Sequence, residues 1–239
     1  MTLAEALGSL FPAGHSVTAE GGLIHGDATA PDGRLIHVIG VANGAPLGVE
    51  GALTLTGQVL EIVAGGKDIP ILVLIDSSSQ RMSRRDELLG LSEFLAHLAK
   101  ALLLAEASGH RTIGVLYGGS AAGAFIATAL STGTLIALPD ATPAVMDLPS
   151  MARVTKLPLE VLETKAHGTP VFAPGVDNLV RMGAIERVWD PARPLAAQLA
   201  EVLAEPRRAD ARDTLGAERH GRTKAAAIAQ RVCAEFGAR

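Results

Sequence analysis

Cysteine is almost missing from this chain: of 239 residues only Cys233 is one, so an internal disulfide framework and a cysteine-rich metal site are both excluded. The seven histidines, His15, His25, His37, His97, His110, His167 and His220, include no two at metal-ligand spacing, which leaves a zinc site without support. Aromatic residues make up only 3%, too few to build stacking platforms for single-stranded nucleic acid. Basic residues are not in excess: 21 Lys and Arg face 25 Asp and Glu, the wrong balance for a nucleic-acid partner. Long hydrophobic runs are lacking too. The longest, such as Ile69 to Ile75 and Ala101 to Ala105, fall far short of the roughly 20 residues that span a bilayer, so no membrane partner is expected. Met1 to Leu10 carries Glu5 and no basic residue, unlike a signal peptide, and the expected location is cytoplasmic.

What is present is alternation of strand and helix. Leu23 to Ala28 and Arg34 to Val41 flank Pro31-Asp32-Gly33, whose proline presets one backbone angle while its glycine permits positive φ; they read as a β-hairpin. Leu53, Leu60 and Val63, interleaved with Gln58 and Glu61, predict a helix ending at Gly65-Gly66. Ile69 to Ile75 is a continuous apolar run, the pattern of a strand buried on both faces, closed by Asp76. A polar loop, Ser77 to Arg85, then leads into one long helix with Leu88, Leu91, Leu95, Leu98 and Leu102 on its apolar face, ended by Gly109.

Further strands are expected at Thr112 to Tyr117 and Thr134 to Leu138, with a helix Ala124 to Leu130 between them. The prolines Pro139, Pro143, Pro149 and Pro158 keep the following elements short, with Ala144 to Met146 extended and a helix from about Pro149. Val176 to Met182 reads as helical and Ala184 to Trp189 as extended. Pro191-Ala192-Arg193-Pro194 marks the expected boundary between a domain at 1–190 and a C-terminal helical appendage at 191–239, with helices at Leu195 to Leu203 and Thr223 to Phe236.

The most informative stretch is Tyr117-Gly118-Gly119-Ser120-Ala121-Ala122-Gly123-Ala124-Phe125. It follows a strand and opens a helix. Its small residues let a ligand approach the backbone, and the first helical amides lack intrahelical partners. Such a turn can hold a developing oxyanion, although close helix packing produces the same glycine-rich pattern.

A hairpin with a helix, followed by strand–helix units whose central helix is led by a glycine turn, resembles the crotonase superfamily, a spiral of strand–strand–helix units of α/β class. The strand Ile71 to Asp76 before the Glu87-bearing helix, the turn Ala122-Gly123-Ala124-Phe125, and Gly183-Ala184-Ile185-Glu186-Arg187-Val188 are similar to its carboxyltransferase branch. Asp76-Ser77-Ser78-Ser79-Gln80-Arg81-Met82-Ser83-Arg84-Arg85-Asp86-Glu87, taken with the Tyr117 turn, resembles the gamma subunit of biotin-independent malonate decarboxylase over roughly residues 20 to 190. Carboxyltransferases usually carry a proline–glycine pair where this chain has Ser77 to Ser79, and paired glycines where it has Ala122-Gly123.

The resemblance implies a homologous beta subunit as partner, together with an acyl-carrier subunit and an acyl-carrier transferase subunit. It implies decarboxylation of a malonyl thioester to an acetyl thioester and carbon dioxide. The thioester would ride on a phosphopantetheine-type group, derived from dephospho-CoA, on the carrier; this chain itself would bind no cofactor, biotin or metal. By position in the family turn, the amides of Gly123 and Ala124 are the candidate oxyanion donors, with Gly118, Gly119 and Ser120 shaping the approach and Ser79 and Gln80 contacting substrate.

Other side chains have plainer readings beside the functional ones. Polar residues after a buried strand, Ser77 to Gln80 here, ordinarily make turns. Asp147 and His167 are candidates for proton transfer to the enolate, without a flanking motif. Arg81, Arg84 and Arg85 could receive phosphates or an acidic carrier, or be a solvated loop. From Arg207 to Arg239 eight basic residues meet four acidic ones, either a carrier contact or an ordinary mixed surface. Two rival functions remain: an acyl-CoA hydratase or isomerase, which would need a carboxylate near the turn although none lies between Gly109 and Leu138, and a structural subunit that completes a partner's site.

Overall fold

A computed structural model describes residues 1–66 and 68–237; Arg239, counted in the basic tail, lies outside the described residues. In chain order the elements are α1 (Leu3–Leu10), β1 (Thr18–Glu20), β2 (Leu23–Thr29), β3 (Leu35–Gly44), α2 (Val49–Ala64), β4 (Ile71–Ser77), α3 (Arg84–Leu88), α4 (Leu91–Ala107), β5 (Thr112–Leu116), β6 (Gly119–Ala121), α5 (Ala122–Thr128), β7 (Thr134–Ala137) and β8 (Thr142–Ala144). There follow α6 (Leu148–Thr155), α7 (Leu159–Gly168), α8 (Val176–Arg181), β9 (Arg187–Val188), α9 (Leu195–Ala204), α10 (Arg212–Glu218) and α11 (Ala225–Gly237). Two compact units result: 1–145 with 187–207, and 146–186 with the segment from 208 onward.

The first unit is built on a sheet of order β1-β2-β3-β4-β5-β7-β9, antiparallel through β3 and parallel from β3 onward. The hairpin expected around Pro31-Asp32-Gly33 is there, pairing Leu23 with Val41 through Thr29 with Leu35. Strand side chains alternate between faces. Leu72 and Leu74 of β4 and Ile113 and Val115 of β5 therefore share one core with Leu7 and Leu10 of α1 and Leu195, Leu199 and Val202 of α9, while Val73 and Ile75 point to the other face, where α2, α4 and α5 pack together. β6 and β8 form a separate two-stranded parallel sheet.

Several expectations are corrected. The long helix is two helices: Gly90 adopts φ +82 between α3 and α4, a left-handed angle that ends one helix and that glycine reaches without steric cost. Leu91, Leu95, Leu98 and Leu102 are buried as expected, but Leu88, on the far side of the break, is exposed. The buried stripe of α2 is Val49, Ala52, Leu55, Thr56 and Val59 rather than the one through Leu53 and Leu60, which face outward. The contacts also divide the chain differently from the expected 1–190 and 191–239. α9 belongs to the first unit because its leucines complete the α1 core.

In the second unit α6 packs on α7 within residues 146–186, and α8 packs on α10, which joins that segment to the one from 208 onward. Sequence patterning missed α10. Arg219 ties this unit together by donating to the carbonyls of Val180 and Ile185, both at 2.9 Å, and of Glu186 at 2.8 Å. The strand expected over Ala184 to Trp189 shrinks to β9.

Candidate functional site

The parallel strands β3, β4 and β5 run out at Gly44, Ser77 and Leu116, and the loops beyond them form one cluster. In open α/β sheets ligands bind in such a crevice at the carboxyl ends of strands. Three loops meet here: 43–48 before α2, 78–83 before α3, and 117–121 before α5.

Asp76 is the junction. Its Oδ1 accepts the amide of Gly119 at 3.0 Å and its Oδ2 the amide of Gly44 at 3.2 Å. Gly118 must be glycine at this junction, since a Cβ there would lie 2.2 Å from Asp76 Oδ1. The 43–48 loop in turn holds the 78–83 loop: Leu47 donates to the carbonyl of Ser79 at 2.9 Å and accepts from the amide of Arg81 at 2.8 Å. The Tyr117 hydroxyl beside this junction is buried without a hydrogen-bond partner. Burial, and secondarily the Asp76 charge, push its pKa up, so it stays protonated.

The turn expected before α5 contains strand β6, which pairs with Thr142, Pro143 and Ala144. α5 begins at Ala122, two residues earlier than expected. Ala122 takes φ +52, an angle that costs a non-glycine residue about 1–2 kcal/mol. Carboxyltransferases usually carry paired glycines where this chain has Ala122-Gly123, and the alanine is accommodated here as local strain.

Gly123 follows, and its amide donates to Gln80 Oε1 at 2.6 Å. A Cβ on Gly123 would come within 2.9 Å of Leu95 Cδ1 and 3.2 Å of Gln80 Oε1. Ala124 is completely buried at the third position of α5, where the helix provides no partner for its amide. Thus the structure brings Gly118, Gly119, Ser120, Gly123, Ala124, Ser79 and Gln80 into one cluster, but several of their polar groups are already engaged. Ser120 is buried and its hydroxyl lies 3.1 Å from that of Ser77, so its side chain supports the turn from within. The Gly119 amide is held by Asp76. Ser79 Oγ donates to the carbonyl of Gln80 at 2.8 Å.

The arginine cluster is largely neutralised. Arg81 lies 3.5 Å from Glu50 and 3.9 Å from Asp86, and Arg85 lies 2.5 Å from Glu50 and 3.4 Å from Asp86. Asp86 is buried against Gly48, the N-cap of α2, where negative charge opposes the positive end of the helix dipole. Asp147, a proton-transfer candidate, is instead the N-cap of α6. Its carboxylate accepts the amide of Ser150 at 2.7 Å, and hydrogen bonding to Ser150 holds its pKa below the usual range. His167 lines a groove of about 430 Å³ in the second unit with Glu163, Asp177 and Arg181. Of the basic tail, Arg207 donates to Glu106 Oε2 at 3.0 Å and Arg231 to Glu235 at 2.7 Å. With Arg219, these engaged side chains give the tail a structural use.

Sequence reasoning missed Asp76 as a site residue. No acidic residue lies near the glycine turn in sequence, yet the fold delivers one from 43 residues away. Both its oxygens accept backbone amides, so it clamps the glycine turn to the 43–48 loop.

Comparison with known proteins places these features. The malonate decarboxylase gamma subunit family model matches residues 42–236. The chain is 27% identical over 172 residues, 66% of its length, to the malonyl-S-ACP:biotin-protein carboxyltransferase of Malonomonas rubra, and the match spans only 59% of that protein. A Pseudomonas malonate decarboxylase hetero-tetramer solved with coenzyme A is 25% identical with a TM-score of 0.79, covering 97% of this chain and 98% of that one. The MdcD–MdcE hetero-dimer of Pseudomonas malonate decarboxylase gives 25% identity and a TM-score of 0.76 over the same shares. The fold is that of the crotonase-like carboxyltransferases. With its strand-end turn, its paired loops and a match over most of its length, the chain belongs to the malonate decarboxylase gamma subunit family.

Proposed function

We propose that this chain works as the gamma subunit of a malonate decarboxylase, paired with a homologous beta subunit, and that the pair converts a malonyl thioester on an acyl-carrier subunit to an acetyl thioester and carbon dioxide. The similar Pseudomonas protein assembles as a hetero-dimer and a hetero-tetramer, the latter solved with coenzyme A, which supports both the pairing and a thioester-bearing substrate. The carrier's phosphopantetheine-type group, derived from dephospho-CoA and installed through an acyl-carrier transferase subunit, presents the thioester. Biotin and metal have no part in this reading. No helix among the described residues is long and apolar enough to cross a membrane, in keeping with a cytoplasmic enzyme.

The observation that carries the reading is Gln80 Oε1 on the Gly123 amide at 2.6 Å. A side-chain amide oxygen is a neutral carbonyl acceptor, as a thioester oxygen is. Gln80 therefore fills the place that substrate would take, and the thioester oxygen displaces it to accept from Gly123, with the Ala124 amide beside it. As the bond to the carboxylate breaks, carbon dioxide leaves and the electron pair moves to the thioester oxygen as an enolate. Protonation at carbon gives the acetyl thioester. Donors fixed before reaction stabilise that growing charge, and losing one typically costs about 2.7–4 kcal/mol. Because the donors are backbone groups, no ionisable side chain has to stand in the turn.

The test is Gly123→Val in the purified beta–gamma pair, since the added side chain meets Leu95 and Gln80 and blocks the approach. Decarboxylation of malonyl thioester should fall by roughly 100-fold or more with the pair intact. Unchanged turnover would leave the chain a structural subunit.

A further inference from the structure

We propose that Asp76 is the positioning residue of this site, a single carboxylate that keeps the two loops flanking the substrate path in register. The proposal rests on the reading of Gly123 and Ala124 as donors. Asp76 is the half-buried penultimate residue of β4, and its two oxygens accept from two different loops. Oδ2 takes the Gly44 amide and so fixes the loop whose Leu47 holds Ser79 and Arg81 on either side of Gln80. Oδ1 takes the Gly119 amide and so fixes the start of β6, from which only Ser120, Ala121 and Ala122 separate Gly123.

Every link in the second path is stiff. Gly118 leaves no space between backbone and carboxylate, β6 is paired with β8 along its whole length, the Ser120 hydroxyl is pinned to Ser77, and Ala122 is held at a positive φ. Shifting the Gly119 end therefore shifts the Gly123 amide. An asparagine at position 76 offers one acceptor and one NH2 group, so one of the two backbone donors would face another donor. The loops must then separate or rotate, and misplacement of a reacting group by about 1 Å costs on the order of 100-fold in rate.

The experiment compares Asp76→Asn, Gly118→Ala and the wild type in the co-purified beta–gamma pair with malonyl thioester, measuring kcat and KM and recording amide spectra with selective 15N-glycine labelling. Gly118→Ala attacks the same clamp from the other side, because its methyl group must displace the carboxylate. Both variants are expected to lose kcat by roughly 100-fold with KM within about threefold, and both should move the Gly123 amide resonance along with those of Gly44 and Gly119. Retention of more than a third of kcat, a loss confined to KM, or a Gly123 resonance that stays in place while Gly119 moves would each overturn the proposal. So would failure of the Asp76→Asn chain to co-purify, which would make the carboxylate a folding element. If Gly123→Val is also harmless the donor reading itself fails, whereas a harmful Gly123→Val beside a harmless Asp76→Asn refutes Asp76 alone.

Discussion

Replacing Gln80 by alanine should make the enzyme bind its substrate more tightly. The side chain accepts from the Gly123 amide at 2.6 Å, so any acyl oxygen entering the turn must first break that bond. A hydrogen bond of this kind contributes about 0.5–1.5 kcal/mol net, which converts to roughly a 2- to 13-fold change in apparent affinity. Gln80→Ala removes the competitor and leaves the amide to water, an exchange that substrate reverses at lower cost. The wild-type backbone donors are untouched, so the chemical step keeps its stabilisation. Steady-state release of carbon dioxide from malonyl thioester by the purified pair is the assay: KM falls several-fold while kcat stays within about twofold. A kcat that collapses with KM unchanged would assign Gln80 to the chemistry, and an unchanged KM would show that its bond to Gly123 does not compete with substrate.

Other perturbations follow from single contacts. Tyr117→Phe removes a buried hydroxyl without a partner, so thermal unfolding should show no loss and up to about 1–3 kcal/mol of gain. Because the folded chain holds the Tyr117 proton more tightly than the unfolded chain, wild-type stability should decline as pH rises past the ordinary tyrosine range near 10, and the variant should decline less steeply. Ala122→Gly relaxes a residue at φ +52; urea unfolding should register up to about 1 kcal/mol of added stability. Asp147→Ala removes the cap of α6 and should cost about 0.5–2 kcal/mol without changing kcat, whereas a large kcat loss would restore Asp147 as a proton-transfer group. Since the folded-state pKa of Asp147 is lowered, its contribution is present above the ordinary carboxylate range and is lost as pH falls through the folded value.

Local pattern made much of this fold legible. Pro31-Asp32-Gly33 between two apolar runs specified the hairpin, and the leucine spacing from Leu91 to Leu102 specified the buried face of α4. The strand, small-residue turn and helix around Tyr117 also stood out, because backbone approach demands small residues wherever the ligand comes from. What escaped notice was set by distant partners. β6 exists because Thr142 to Ala144 lies beside it, and three residues with no apolar alternation give no signal of their own. α2 turns Ala52 and Thr56 inward instead of Leu53 and Leu60, a choice that its packing against α4 makes and its own hydropathy does not. α9 looked like part of an appendage after Pro194, yet its leucines fill the space over α1. The clamp was the least visible feature, since Asp76 acts on glycines 32 residues before it and 43 residues after it.

A structure of the beta–gamma pair with a non-decarboxylating malonyl thioester analogue tests the central claim most directly. The account predicts the analogue's thioester oxygen within hydrogen-bonding distance of the Gly123 nitrogen, with Gln80 Oε1 moved off that amide. An analogue bound in the site while Gln80 still holds Gly123 would contradict it.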